Sequence, residues 1–191
     1  MNIDLMKEIE CEIKEVIKKS EIPEDYPHAK NVKEWMLRLK SDADTALQIA
    51  ALAHDIERAI SNRKILKNNF KDYDSFKKAH SINSAKITLE ILNKFPLSKE
   101  VKDKVRYLIE NHELGSENDQ ELSVLKDADS LSFFEVNLPL YFQRHNIDDT
   151  LFRMEWGYRR LSKRAKEFLK QFKYKNETLN NLLKEFMYNK K

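Results

Sequence analysis

Only two glycines, Gly115 and Gly157, and four prolines punctuate a chain of 191 residues. Strands joined by tight turns need glycine, proline and asparagine at their reversals. A chain this poor in glycine and proline is expected to fold as long helices joined by short polar connections, an all-α architecture. Apolar residues make up 41 % of the composition and aromatics 10 %, which suits a buried core rather than a disordered coil. At this length one domain, residues 1–191, accommodates the chain.

Charge excludes other classes. Lys and Arg number 35 against 32 Asp and Glu, a net +3, and the signs are mixed along the chain. A nucleic-acid binder carries a stronger, clustered excess, so the charges read as solvated helix faces. No apolar run reaches the length of a membrane span, and the first residues, "MNIDLMKEIECEIKE", are acidic and amphipathic, unlike a secretory leader. A single cysteine, Cys11, rules out an internal disulfide. A protein of the reducing cytoplasm is expected, with no membrane partner.

Periodicity places about eight helices. Met6, Ile9, Ile13, Val16 and Ile17 mark the first, over 3–19. Pro27 suits the first turn of a second, roughly 28–40, with the stripe His28, Val32, Trp35, Met36, Leu39. Ser41 or Asp42 can cap a third, about 43–60, apolar nearly all round and so expected at the centre of a bundle. Further helices are expected over about 75–94, from Ser98 to about His112, and over 121–138, ended by Pro139. Helices over 149–172 and 177–188 close the chain, the first buried through Phe152, Trp156 and Leu161. Residues 61–74 and 115–120 are connections that could act as lids.

Four of the five histidines, His28, His54, His80 and His112, fall in phase with the apolar stripe of four different helices. A neutral imidazole offers a lone pair to a metal. The fifth, His145, lies in a polar stretch and reads as a surface residue. In "ELSVLKDADSLSFFEV", Asp129 is four residues from both Leu125 and Phe133 and points inward. Asp127 is two residues out of phase and points away from the centre of the stripe. Trp35, Phe76, Phe133 and Phe134 read as core.

The order His28, His54–Asp55, His80, His112 and "ADSL" (128–131) resembles the HD superfamily of metal-dependent phosphohydrolases, over roughly residues 24–138. The six-ligand order is that of its binuclear members, and in order and size the chain is similar to bacterial HD dinucleoside-polyphosphate hydrolases. The resemblance implies a helical bundle in which His28, His54, Asp55 and Asp129 hold one metal. Asp55 then bridges to a second, held by His80 and His112. Imidazole and carboxylate ligands suit Fe, Mn, Zn, Co or Ni. The implied reaction is hydrolysis of a nucleotide or other small phosphate ester by a hydroxide between the two ions, with Asp55 and Arg58 as catalytic residues.

Arg58, in "HDIER", stands where the "HDIGK" form has lysine and would contact substrate phosphate; the alternative is a local pairing with Asp55 or Glu57. Glu57 replaces the glycine of that form and is expected in a surface salt bridge. Lys126, Arg160 and Arg164 are further candidates for gathering substrate phosphate, against solvated faces as the plain alternative. Two other activities use or tolerate the same cage: a mixed-valent di-iron oxygenase, and a metal-binding helical module without catalysis.

Overall fold

Side chains start most of the helices. Asp44, Asp72, Ser98, Asp119, Asn146, Ser162 and Asn176 each accept a backbone N–H from the first turn that follows. The computed structural model describes residues 3–116 and 118–190; among them are ten α-helical segments and no strand. They are α1 (Ile3–Ile17), α2 (Asp25–Leu39), α3 (Thr45–Ala53), α4 (Tyr73–Leu92) and α5 (Lys99–Asn111), then α6 (Gln120–Ser132), α7 (Leu138–Arg144), α8 (Ile147–Arg160), α9 (Lys163–Leu169) and α10 (Glu177–Tyr188). No described helix is long and apolar enough to cross a membrane.

The apolar α3 is the hub, as expected. Leu47, Ile49, Ala50, Ala51, Leu52 and Ala53 are all buried, and α3 packs against α2 and α5. Around it α2 lies along α6 and α4 along α5, while α1 crosses α3 and α4. Alanine on most faces lets three neighbours approach one rod closely.

Three boundaries differ from the sequence reading. The cap of α3 is Asp44, accepting from Leu47 N at 2.9 Å, rather than Ser41 or Asp42. The helix ends at Ala53 instead of residue 60: His54 caps it, Asp55 leaves helical geometry (φ −110°, ψ 15°), and a 3-10 turn follows over Ile56–Ala59. The helix begun by α6 does not stop before Pro139 but runs through a π-helical turn, Phe133–Asn137, into α7. Proline at the start of α7 costs no helical hydrogen bond there, because the wider turn has already displaced the ladder.

The expected helix 149–172 is two helices broken at Leu161 and Ser162. Its buried face is Thr150, Met154 and Gly157, while Phe152 is largely exposed. A Cβ on Gly157 would meet Phe134 Cε2 at 3.1 Å and Phe133 Cδ1 at 3.3 Å, so the glycine lets α8 sit directly on the π turn. This contact brings α8 over the polar centre of the bundle.

Candidate metal centre

His54 and His112 are placed by the same local device. Each is the first residue beyond a helix, α3 or α5, and turns its Nδ1 back to the carbonyl three residues earlier: Ala51 O at 3.0 Å and Ile109 O at 2.7 Å. A carbonyl only accepts, so Nδ1 carries the proton and Nε2 presents a lone pair. His28 reaches the same state through Ser132. The Ser132 hydroxyl donates to His28 O at 3.2 Å, which leaves it to accept from His28 Nδ1 at 2.9 Å. His80 Nδ1 donates to Glu57 Oε1 at 2.6 Å.

All four Nε2 atoms therefore point into one buried region. Neighbouring ring centroids are 5.3 Å apart for His28–His54, 5.1 Å for His54–His112 and 6.4 Å for His80–His112. Asp55 lies inside this arc. Its Oδ1 is 2.5 Å from His80 Nε2 and 3.9 Å from His112 Nε2; its Oδ2 is 3.8 Å from His54 Nε2 and 3.0 Å from Arg58. Asp129 Oδ1 lies 3.2 Å from His28 Nε2 and 3.5 Å from His54 Nε2. The groups form two sets able to hold a metal, His28–His54–Asp129 and Asp55–His80–His112–Glu113, the donor atoms within each lying within 4.8 Å of one another. His54 Nε2 and His112 Nε2 are buried and make no hydrogen bond. A buried acceptor without a partner is costly, and a cation supplies the missing partner. Imidazoles and carboxylates with no thiolate suit a first-row divalent ion. The donors fit a metal.

Burial presses against every charge in this centre, and the neighbours outweigh it at all of these groups but His112. Arg58, His54 and His80 hold the Asp55 carboxyl well below the usual carboxylate range. Arg160, with His28 and His54, does the same for Asp129. Burial lowers the pKa of His112, whereas for His54 and His80 the attraction of Asp55 wins and raises it.

The six expected ligands and Arg58 thus come together, and Arg58 pairs with Asp55 across the 3-10 turn. Arg160 also reaches the centre: its Nη1 is 2.8 Å from Asp129 Oδ2, and its Nη2 is 3.3 Å from Glu113 Oε2. Arg164 does not. It is exposed and donates to Leu39 O at 3.1 Å, because the break at Leu161 turns α9 away from the line of α8. Lys126 is absent too; its side chain lies over Gly115, whose positive φ of 67° ends the turn after α5. Asp127 is neither at the centre nor on the surface, but accepts from Ser162 N at 2.7 Å and Ser162 Oγ at 2.5 Å, tying down the start of α9. His145 is exposed, stacked on Tyr141.

Glu57 corrects the expectation of a surface salt bridge. It is 1 % exposed, and besides His80 it accepts from Ile65 N at 2.7 Å and Asn83 Nδ2 at 3.3 Å. Together with the Arg63–Glu90 pair, these bonds moor the start of the 61–74 connection. Neither 61–74 nor the described part of 115–120 lines the cavity beside the metal sets (Glu117 lies outside the described residues).

That cavity, about 160 Å³, lies between the metal sets and α8 and includes Asp25, His28, Asp55, Arg58, Asp129 and Phe133. Phe133 is therefore partly buried, packed against the core on one side and facing this cavity on the other, and Phe76, stacked on His80, is also only partly buried. Sequence reasoning passed over Glu113, whose signal was available: it follows His112 as Asp55 follows His54. Glu113 also pairs with Lys77, and its carboxyl is held far below the ordinary value against burial by Lys77 and Arg160.

Residues 2–182 match the family described as a domain of unknown function, DUF4202. The chain belongs to the DUF4202 family. The DUF4202 match covers both the histidine-bearing helices and α8, which lies outside the span of the HD resemblance. No curated protein and no solved structure matches the chain.

Proposed function

We propose that this DUF4202 protein is a metal-dependent phosphohydrolase with a binuclear centre, acting on a nucleotide or another small phosphate ester. One observation carries the reading: four buried imidazoles, each held through Nδ1, converge their Nε2 atoms on carboxylates that sort into two sets. His28, His54 and Asp129 would hold one ion and His80, His112 and Glu113 the other, with Asp55 turning one oxygen to each set. Two such ions would activate a water at neutral pH and polarise a phosphoryl oxygen.

The chain's own groups support an anionic ligand beside them. Four carboxylates line the cavity (Glu24, Asp25, Asp55, Asp129), as do four cations (Arg58, Lys77, Arg153, Arg160). Protein charges alone balance there, so divalent ions would tip the cavity toward anions. Arg58 and Arg160, each anchored on a ligand carboxylate, would steady the phosphoryl oxygens.

The test is elemental analysis of the purified protein, joined to a screen for phosphate release from phosphate esters with Mn, Fe, Zn, Co or Ni. About two ions per chain are expected, with turnover that chelator abolishes and Asp55→Ala lacks. A folded protein that takes up no metal overturns the reading. Iron-dependent oxygen consumption without phosphate release would put the oxygenase in its place.

A further inference from the structure

Four cations line the cavity, and three are already neutralised. Arg58 pairs with Asp55, Lys77 with Glu113, and Arg160 with Asp129 and Glu113. Arg153 differs. No carboxylate pairs with it among the described residues; its Nη1 donates to Tyr73 Oη at 2.5 Å, and its buried Nε makes no hydrogen bond. Its guanidinium sits among four rings: Phe133 at 5.6 Å, Tyr141 at 5.7 Å, Tyr73 at 5.8 Å and Trp156 at 5.9 Å. Ring faces attract a cation but accept few of the five N–H bonds a guanidinium can donate. The rings restrict where the fork can turn while leaving donors other than the one bonded to Tyr73 free, an arrangement organised in advance for a planar or tetrahedral oxyanion.

The cavity is smaller than the roughly 300–1,000 Å³ of a pocket that encloses a whole small molecule. It suits a head group, with the remainder of the ligand outside. We propose that Arg153 anchors a phosphate oxygen of the ligand, and that the site takes phosphomonoesters by the phosphate end while the rings of Trp156 and Tyr141 flank the entry. This rests on the hydrolase reading only for the choice of phosphate among oxyanions.

The test is calorimetric titration of inorganic phosphate, with acetate as a second probe, into the protein as purified and after removal of metal with chelator. Circular dichroism checks that each variant is folded. Arg153→Met is expected to weaken phosphate binding about 10-fold or more, and Arg153→Lys, which keeps the charge but not the fork, by less. Phosphate should also change Trp156 emission in the wild type and not in Arg153→Met. Equal phosphate affinity in folded wild type and Arg153→Met overturns the anchor, even if metal binds and esters are hydrolysed. An Arg153-dependent affinity in protein that takes up no metal supports the anchor while the hydrolase reading fails. Acetate bound as tightly as phosphate, with the same dependence on Arg153, overturns the assignment to phosphate.

Discussion

Glu57 accepts from His80 Nδ1 while also receiving the Ile65 and Asn83 N–H groups, so its two oxygens do different work. Glu57→Gln keeps the shape but removes the charge behind the imidazole; metal affinity should fall roughly 10–100-fold, read by competition with a chromophoric chelator. Glu57→Leu should also destabilise the fold, by about 1–3 kcal/mol in urea unfolding, because buried donors lose their acceptor. The arginines at the end of α8 and in α9 separate in the same way. Arg160→Ala leaves Asp129 without its arginine and Glu113 with Lys77 alone and should abolish phosphate release, whereas Arg164→Ala and Lys126→Ala should leave it within error of wild type in the same assay. Of the six candidate ligands, the four histidines and Asp129 were legible as polar residues in phase with apolar stripes, and Asp55 through the resemblance of His54–Asp55 to the HD pattern. Glu57 was not, because spacing along a turn does not reveal that a neighbouring helix has closed over it.

At the scale of elements, α8 is the piece that completes the centre. It rests on the π turn through Gly157, and Phe134 at that contact is fully buried. Gly157→Ala must displace a packed aromatic ring; it should cost about 1–3 kcal/mol in urea unfolding and weaken phosphate binding through the shift of α8. The helical character of 147–160 could be read from periodicity, but its register could not. Phe152 was placed inside and Arg153 was not singled out, because a face rich in aromatics and cations has no clear apolar side. The end of α3 shows the same limit. The apolar run continues through Ile56 and Ala59, and nothing in it announces that Asp55 leaves the helix to face His80.

For the whole molecule, the proposed metal centre would tie metal to stability. Its candidate ligands, in α2, α4 and α6 and just beyond α3 and α5, meet only in the folded chain, so an ion held there would bind the native state alone. At a free metal concentration of 100 times Kd the gain is about 2.7 kcal/mol, which for a chain of this length raises Tm by roughly 5–10 °C over the chelated protein in a thermal scan. The seam between α1 and α2 adds a dependence on pH. Burial raises the pKa of Glu10, but its bonds to Lys33 and Lys14 outweigh this and bring it below the ordinary 4.5. A carboxyl lowered on folding stabilises above its unfolded pKa, and that contribution is lost as pH falls through the folded value. Glu10→Gln should therefore be less stable than wild type near neutral pH, the difference shrinking below pH 4.5 in paired urea titrations.

The amino-acid order by itself determined the all-α class, the central place of α3 and the inward-facing histidines and Asp129. Each follows from local rules: few residues that reverse the chain, a helical period of apolar side chains, and ionisable groups where only a partner makes burial tolerable. Tertiary structure alone decided which partners those are. Glu57 behind His80, Glu113 between Lys77 and Arg160, and Arg153 among its rings are juxtapositions between elements distant in the chain, made where packing at Gly157 and the turn at Asp55 allowed it. Periodicity tells which face of a helix is buried, not what that face will meet.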